Sequence, residues 1–103
     1  MAEYQITYWR QIPAMVTARE GRRNTFKVEL PPRFQAAIDE LAMRAGLIGT
    51  DEYLEEWRRD GWQPRAGTPA EVAAAVAKEL EQEFTPTKIG EILGQSSTLK
   101  KQG

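Results

Sequence analysis

The spacing of apolar residues changes at Pro31-Pro32, and this change constrains the fold more than any other feature of the chain. Before the two prolines, residues 25–30 (TFKVEL) alternate polar and apolar side chains, as a strand with one buried face does. After them, apolar side chains recur at helical spacing, at Phe34, Ala37, Ile38, Leu41, Ala42 and Ala45. A strand that runs directly into a helix predicts a domain of mixed α and β structure.

Two further segments near the N-terminus carry strand patterns. Residues 3–10 and 14–19 are rich in aromatic and β-branched side chains, which favour strands. A charged turn over residues 19–23 (REGRR) connects the second strand to the third, over residues 25–30. The third strand is expected to point three side chains inward: Phe26, Val28 and Leu30.

Helices are predicted over residues 32–46 and 69–84. Gly46 suits the end of the first helix, because glycine readily adopts the left-handed backbone of a helix C-cap. The second helix begins at Thr68-Pro69-Ala70-Glu71, in which the Thr and Glu side chains form a capping box. A last short helix begins at Pro86 and ends at Gly94.

The segment between the two long helices is ambiguous. Acidic and basic residues at helical spacing favour a short helix that starts at Asp51. The tryptophans and the Asp-Gly pair that follow favour a possible strand near residues 55–64. The sequence alone leaves residues 51–60 open between helix and strand.

These elements predict an α+β fold in a single globular domain over residues 1–94. A small antiparallel or mixed sheet is covered on one face by the two long helices, and the other face is open. Five residues are expected on this open face: Gln5, Thr7, Trp9, Lys27 and Glu29. Residues 95–103 are polar without a periodic apolar face, and they predict a disordered tail.

The composition excludes several chemistries. The chain has no cysteine and no histidine, which rules out disulfides, thiolate nucleophiles, Cys/His zinc sites and histidine acid–base catalysis. We therefore expect a protein that is not an enzyme and has no cofactor or metal. The N-terminus lacks a basic and apolar leader, and no stretch reaches the length of a membrane span. The expected location is cytoplasmic, without membrane contact.

The arginine-rich turn is the first candidate site. Arg19, Arg22, Arg23 and Lys27, with Arg10 nearby, can grip a phosphate or carboxylate through charge-assisted hydrogen bonds. The alternative is a solvated turn whose charge is offset by Glu20 and Glu29. The net charge of −1, from 14 basic and 15 acidic residues, argues against a protein that coats nucleic acid.

The three tryptophans are the second candidate. They can line a groove, with Trp62 beside Arg58 and Arg59, or they can serve the core. Strand alternation puts Trp9 on the face opposite Tyr4, Ile6 and Tyr8, so we expect Trp9 to face outward. An exposed aromatic among polar neighbours is typical of a contact surface.

Three stretches of the chain resemble a small bacterial domain family known as the virulence factor domain. They are YQITYWRQIPAMVTAREGRR, KVELPPRFQAAIDELAMRAGLIGTDEYLEEWRR and GTPAEVAAAVAKELE, which together span roughly residues 3–84. The resemblance implies a domain that occurs alone or joined to scaffold-type and helical-repeat regions. It implies no catalytic residue.

The preferred function is therefore a non-enzymatic interaction or adaptor domain that docks on a larger protein as an accessory subunit. One alternative is binding of nucleic acid or an anionic ligand through the turn from Arg19 to Arg23. Another, suggested by the family resemblance, is an accessory subunit of an enzyme of one-carbon metabolism. The sequence leaves the oligomeric state open.

Overall fold

The computed structural model confirms an α+β fold. It describes residues 1–94 in full and the backbone of residues 95–102; the side chains of residues 95–102 and all of Gly103 lie outside the described residues, so the disorder predicted for residues 95–103 stays a prediction. The elements follow the order β1 (Ala2–Trp9), β2 (Ile12–Glu20), β3 (Asn24–Glu29), α1 (Pro32–Ala45), α2 (Asp51–Glu55), β4 (Trp57–Arg59), β5 (Gln63–Arg65), α3 (Pro69–Glu83) and α4 (Pro86–Gln102).

The described strands form one antiparallel sheet in the order β3-β2-β1-β4, and β5 also pairs with β1. Strand β4 lies opposite residues 7–9 of β1, and β5 lies opposite residues 2–4. The two short strands are therefore successive halves of one edge strand. The ambiguous segment contains both predicted elements, since α2 begins at Asp51 and the interrupted strand follows it.

Asp60 joins the two halves of this edge strand. Its carboxylate accepts a hydrogen bond of 2.8 Å from the Ile6 backbone N–H, and its own N–H donates to the Ile6 carbonyl at 3.2 Å. The Gln5 side-chain amide donates to the Asp60 carbonyl at 3.0 Å. The side chain and the backbone of Asp60 thus pair both backbone groups of Ile6 at the point where the edge strand is interrupted.

Strand β2 is longer than predicted and contains a β-bulge. Thr7 pairs with Met15 while Tyr8 pairs with Pro13, so that Ala14 is the extra residue of β2. A proline lacks the N–H of a regular ladder, and bulges are among the few places in a sheet that accept one. The bulge explains how Pro13 lies within a strand.

Helices α1 and α3 form as the sequence predicts, whereas α4 begins at Pro86 as predicted but continues past Gly94 to Gln102. Gly46 ends α1 in the left-handed conformation, with φ at 74°. The capping box of Thr68 and Glu71 starts α3, and the Thr68 hydrogen bonds lower the pKa of the Glu71 carboxyl. Helix α3 packs across β1, β2 and β3, on what we call the inner face, whereas α1 packs on β2 and α4.

The core lies mainly between this inner face and the helices. It includes the buried apolar stripes of both long helices. The prediction that Phe26 points into the core is wrong, because its side chain is 45% exposed. Phe26 shares the face of its partner Ala18, but it lies near the hairpin turn on the edge strand β3, which is flanked by β2 alone. Burial increases along the strand from Phe26 to the half-buried Val28 and the buried Leu30.

The role of Asp60 can be tested by removing its carboxylate. We expect Asp60→Ala to lower the free energy of unfolding by about 2 kcal/mol, because the Ile6 N–H loses a charged acceptor. Asp60→Asn keeps an oxygen acceptor in the same place and should cost less. Urea unfolding of both variants checks this; equal losses would show that the Asp60 bond does not hold the edge strand.

Candidate interaction surface

The sheet has a second face, opposite α3, which we call the outer face. The strand register places its side chains in three rows across the sheet. Thr7, Met15 and Glu29 form one row, and the next two contain Gln5, Thr17 and Lys27, then Glu3, Arg19 and Thr25. Arg59 pairs with Thr7 and extends the first row onto β4. The open face predicted for Gln5, Thr7, Lys27 and Glu29 is therefore present.

Three depressions along this face have volumes of about 330, 490 and 150 Å³. The first and second depressions share Thr7 and Trp57 as walls. The third depression shares Arg59 with the second and Met15 with the first. Because neighbouring depressions share their walls, we treat them as one feature, the outer groove.

One end of the outer groove is cationic. Its smallest depression is lined by Gln5, Met15, Thr17, Arg19, Thr25, Lys27, Arg59 and Trp62. Three of these side chains are positively charged and none is acidic. Lys27 and Arg59 are exposed and make no ion pair within the described residues, so their charge is available to a ligand.

Arg19 and Trp62 form a stacked pair at this cationic end. The guanidinium carbon of Arg19 lies 3.7 Å from the centre of the Trp62 ring, within the range of a cation–π interaction. Arg19 is on β2 and Trp62 follows β4, so the pair bridges across β1. Because the edge strand is interrupted between β4 and β5, Trp62 does not pair with β1, and its ring stacks on Arg19 instead. Glu3 contributes only a long contact of 3.9 Å to Arg19.

The opposite end of the outer groove is largely apolar. Its lining comprises Thr7, Ala14, Met15, Glu29, Leu30, Pro32, Gln35 and Trp57. The bulge at Ala14 and the start of α1 bring most of these residues together. Met15 and Trp57 are half-buried, so part of their apolar surface remains accessible. Sequence reasoning missed Met15 and Thr17, although alternation within β2 places both on the outer face.

Trp9 does not belong to this surface, and the expectation that it is exposed is wrong. It is completely buried, and its indole N–H donates to the Tyr53 carbonyl at 2.8 Å. The rings of Trp9 and Tyr53 lie 5.4 Å apart, and Trp57 packs against Tyr53 in turn. Tyr53 belongs to α2. This helix therefore covers the end of the sheet that strand alternation predicted to be exposed.

Two of the predicted arginines hold elements together. Arg10 has a left-handed backbone with φ at 54°, and its side chain pairs with Glu56 at 2.9 Å. Arg58 donates to the Arg10 carbonyl at 3.1 Å and lies over the Tyr8 ring. Arg58 also lines the middle depression. Burial, followed by the charge of Asp60, raises the pKa of the Tyr8 hydroxyl, which therefore stays protonated at neutral pH.

The predicted arginine cluster is divided by the structure. Arg19 lies on the strand at the cationic end of the outer groove, together with Lys27. Arg22 and Arg23 are exposed in the hairpin turn and do not line any of the three depressions. The described residues contain no group of three or more carboxylates placed to hold a metal ion. Among the helices of the described residues, none has the length and apolar character of a membrane span.

The different roles of two tryptophans predict different costs of truncation. We expect Trp9→Ala to destabilise the fold by about 3–5 kcal/mol, because it leaves a cavity in a packed core. Trp62→Ala removes a half-exposed stacking contact and should cost about 1 kcal/mol or less. Thermal or urea unfolding measures both, and similar losses would contradict this division between core and surface.

Comparison with known proteins identifies a family to which this chain is similar. No curated protein and no solved structure matches the chain significantly. The family model described as "Virulence factor" matches residues 7–93, which include all of the outer groove except Gln5 and most of the helical layer. Because the match covers most of the chain, the chain belongs to the Virulence factor family.

Proposed function

We propose that this domain is a non-enzymatic interaction module that docks on a larger protein as an accessory subunit. The observation that carries the proposal is the outer groove, a continuous surface that combines arginines with partly exposed tryptophans. Arginine, tryptophan and methionine are enriched at protein interfaces and among the residues that dominate binding energy. The groove contains all three at Arg59, Trp57 and Met15.

The chemistry available along the chain also supports a binding role. Without cysteine or histidine, acid–base work at neutral pH would fall to carboxylates, tyrosines or lysines. The raised pKa of Tyr8 keeps this hydroxyl protonated at neutral pH, so that less of the phenolate needed for a base is present than for an ordinary tyrosine. The carboxylate of Asp60 already accepts the Ile6 N–H, and the carboxylate of Glu56 is paired with Arg10.

Binding of nucleic acid or a small anion is the second candidate, and the exposed Arg22 and Arg23 favour it. Such binding would weaken steeply with salt, because bound counterions are released from the nucleic acid. The net charge of −1 opposes it over the molecule as a whole.

Site-specific photo-crosslinking in the native cells tests the docking function. A benzophenone amino acid replaces Thr17, in the outer groove, or Lys78, an exposed residue of α3. We expect the Thr17 position to capture one dominant protein and the Lys78 position to capture none. Equal capture at both positions, or capture of nucleic acid alone, would contradict the proposal. The identity of the captured protein tests the alternative of a one-carbon enzyme subunit.

A further inference from the structure

We propose that the outer groove binds one extended segment of the partner protein, with acidic residues at one end and an apolar residue at the other. The inference rests on the proposed docking function and adds the chemistry and direction of the bound segment. The main support for the inference is the charge complementarity between the cationic end of the outer groove and an acidic segment.

The cationic end is an exception in an acidic chain. The protein has one more acidic than basic residue, yet the depression at this end contains Arg19, Lys27 and Arg59 without any carboxylate. The hydroxyls of Thr17 and Thr25 add further hydrogen-bond donors. Three cations on one concave surface, of which only Arg19 has an acidic neighbour at 3.9 Å, attract a negatively charged group.

Arg19 is also held in place before a ligand arrives. Its stacking on Trp62 restricts the guanidinium plane, while the long contact with Glu3 is too weak to occupy it. A restricted arginine loses less side-chain entropy on binding and offers paired N–H groups to a carboxylate. The stack therefore favours a directed carboxylate contact over diffuse attraction.

The apolar end requires a different residue from the ligand. Met15, Leu30 and Trp57 form its walls, and Glu29 lies beside them. Glu29 repels a second carboxylate at this point, so the acidic residues of the segment belong at the other end. An apolar side chain is the group that these walls accept.

The dimensions of the sheet give the length of the segment. Arg19 and Met15 are four residues apart on β2, which corresponds to about 13 Å at roughly 3.3 Å per residue. An extended peptide of about five residues covers this distance. Its acidic residues lie towards the β2–β3 turn, and its apolar residue lies towards the start of α1.

Selection from a random octapeptide library displayed on phage, against the full chain, tests the inference. We expect the enriched peptides to carry one or more Asp or Glu residues, separated by about three or four positions from a large apolar residue. The best peptide is then synthesised and its Kd measured by fluorescence anisotropy. Inorganic phosphate, added as a competitor, distinguishes a peptide site from a site for a small anion.

Charge reversal provides the matched control. Lys27→Glu/Arg59→Glu reverses two groove cations, and Arg22→Glu/Arg23→Glu makes the same change in net charge outside the groove. We expect the first double variant to weaken peptide binding at least tenfold, and the second to change the Kd less than threefold. In a repeated selection, the first variant should enrich basic peptides.

Several results would overturn the inference. They are the absence of enriched acidic peptides, equal losses in the two double variants, and full displacement of the peptide by millimolar phosphate. Crosslinking from Thr17 separates this failure from failure of the docking function. A protein captured there, without enrichment of acidic peptides, would leave the docking function in place and refute the acidic segment.

Discussion

Strand β1 is the element on which the rest of the structure depends, because both of its edges pair with other strands. On one side it pairs with β2, the next strand in sequence, and on the other with β4 and β5, some fifty residues later. Asp60 keeps the second pairing continuous by accepting the Ile6 N–H where the edge strand is interrupted. The same interruption places Trp62 against Arg19, so one local irregularity serves both the sheet and the outer groove.

The distribution of charge explains why overall composition says little about this surface. Many of the acidic residues lie on α2 and α3, among them Asp51, Glu52 and Glu83. Arg65 binds Glu79 of α3 through two hydrogen bonds and so lowers the pKa of that carboxyl. On the outer face, Lys27 and Arg59 make no ion pair with any residue that the structure describes. A chain of net charge −1 can therefore present a basic surface to one partner.

Local patterns predicted much of the fold correctly. The helix ends at Gly46 and Thr68 followed from capping chemistry, which depends on neighbouring residues alone. The expectations for Phe26 and Trp9 failed for a different reason. Alternation along a strand predicts on which face of the sheet a side chain lies, whereas the burial of that side chain depends on whether another element covers the face. Helix α2 covers Trp9 with Tyr53, whereas Phe26, on the edge strand, stays 45% exposed.

The sequence by itself determined the α+β class, the bounds of α1 and α3 and the alternation of each strand, because these follow from short-range periodicity and capping. It also identified Arg19, Lys27, Arg59 and Trp62 as residues suited to a contact surface. Only the tertiary structure decided that these four lie together and that Arg22 and Arg23 lie apart from them. The physical reason is the pairing of β1 with a distant edge strand, a contact that no local pattern encodes.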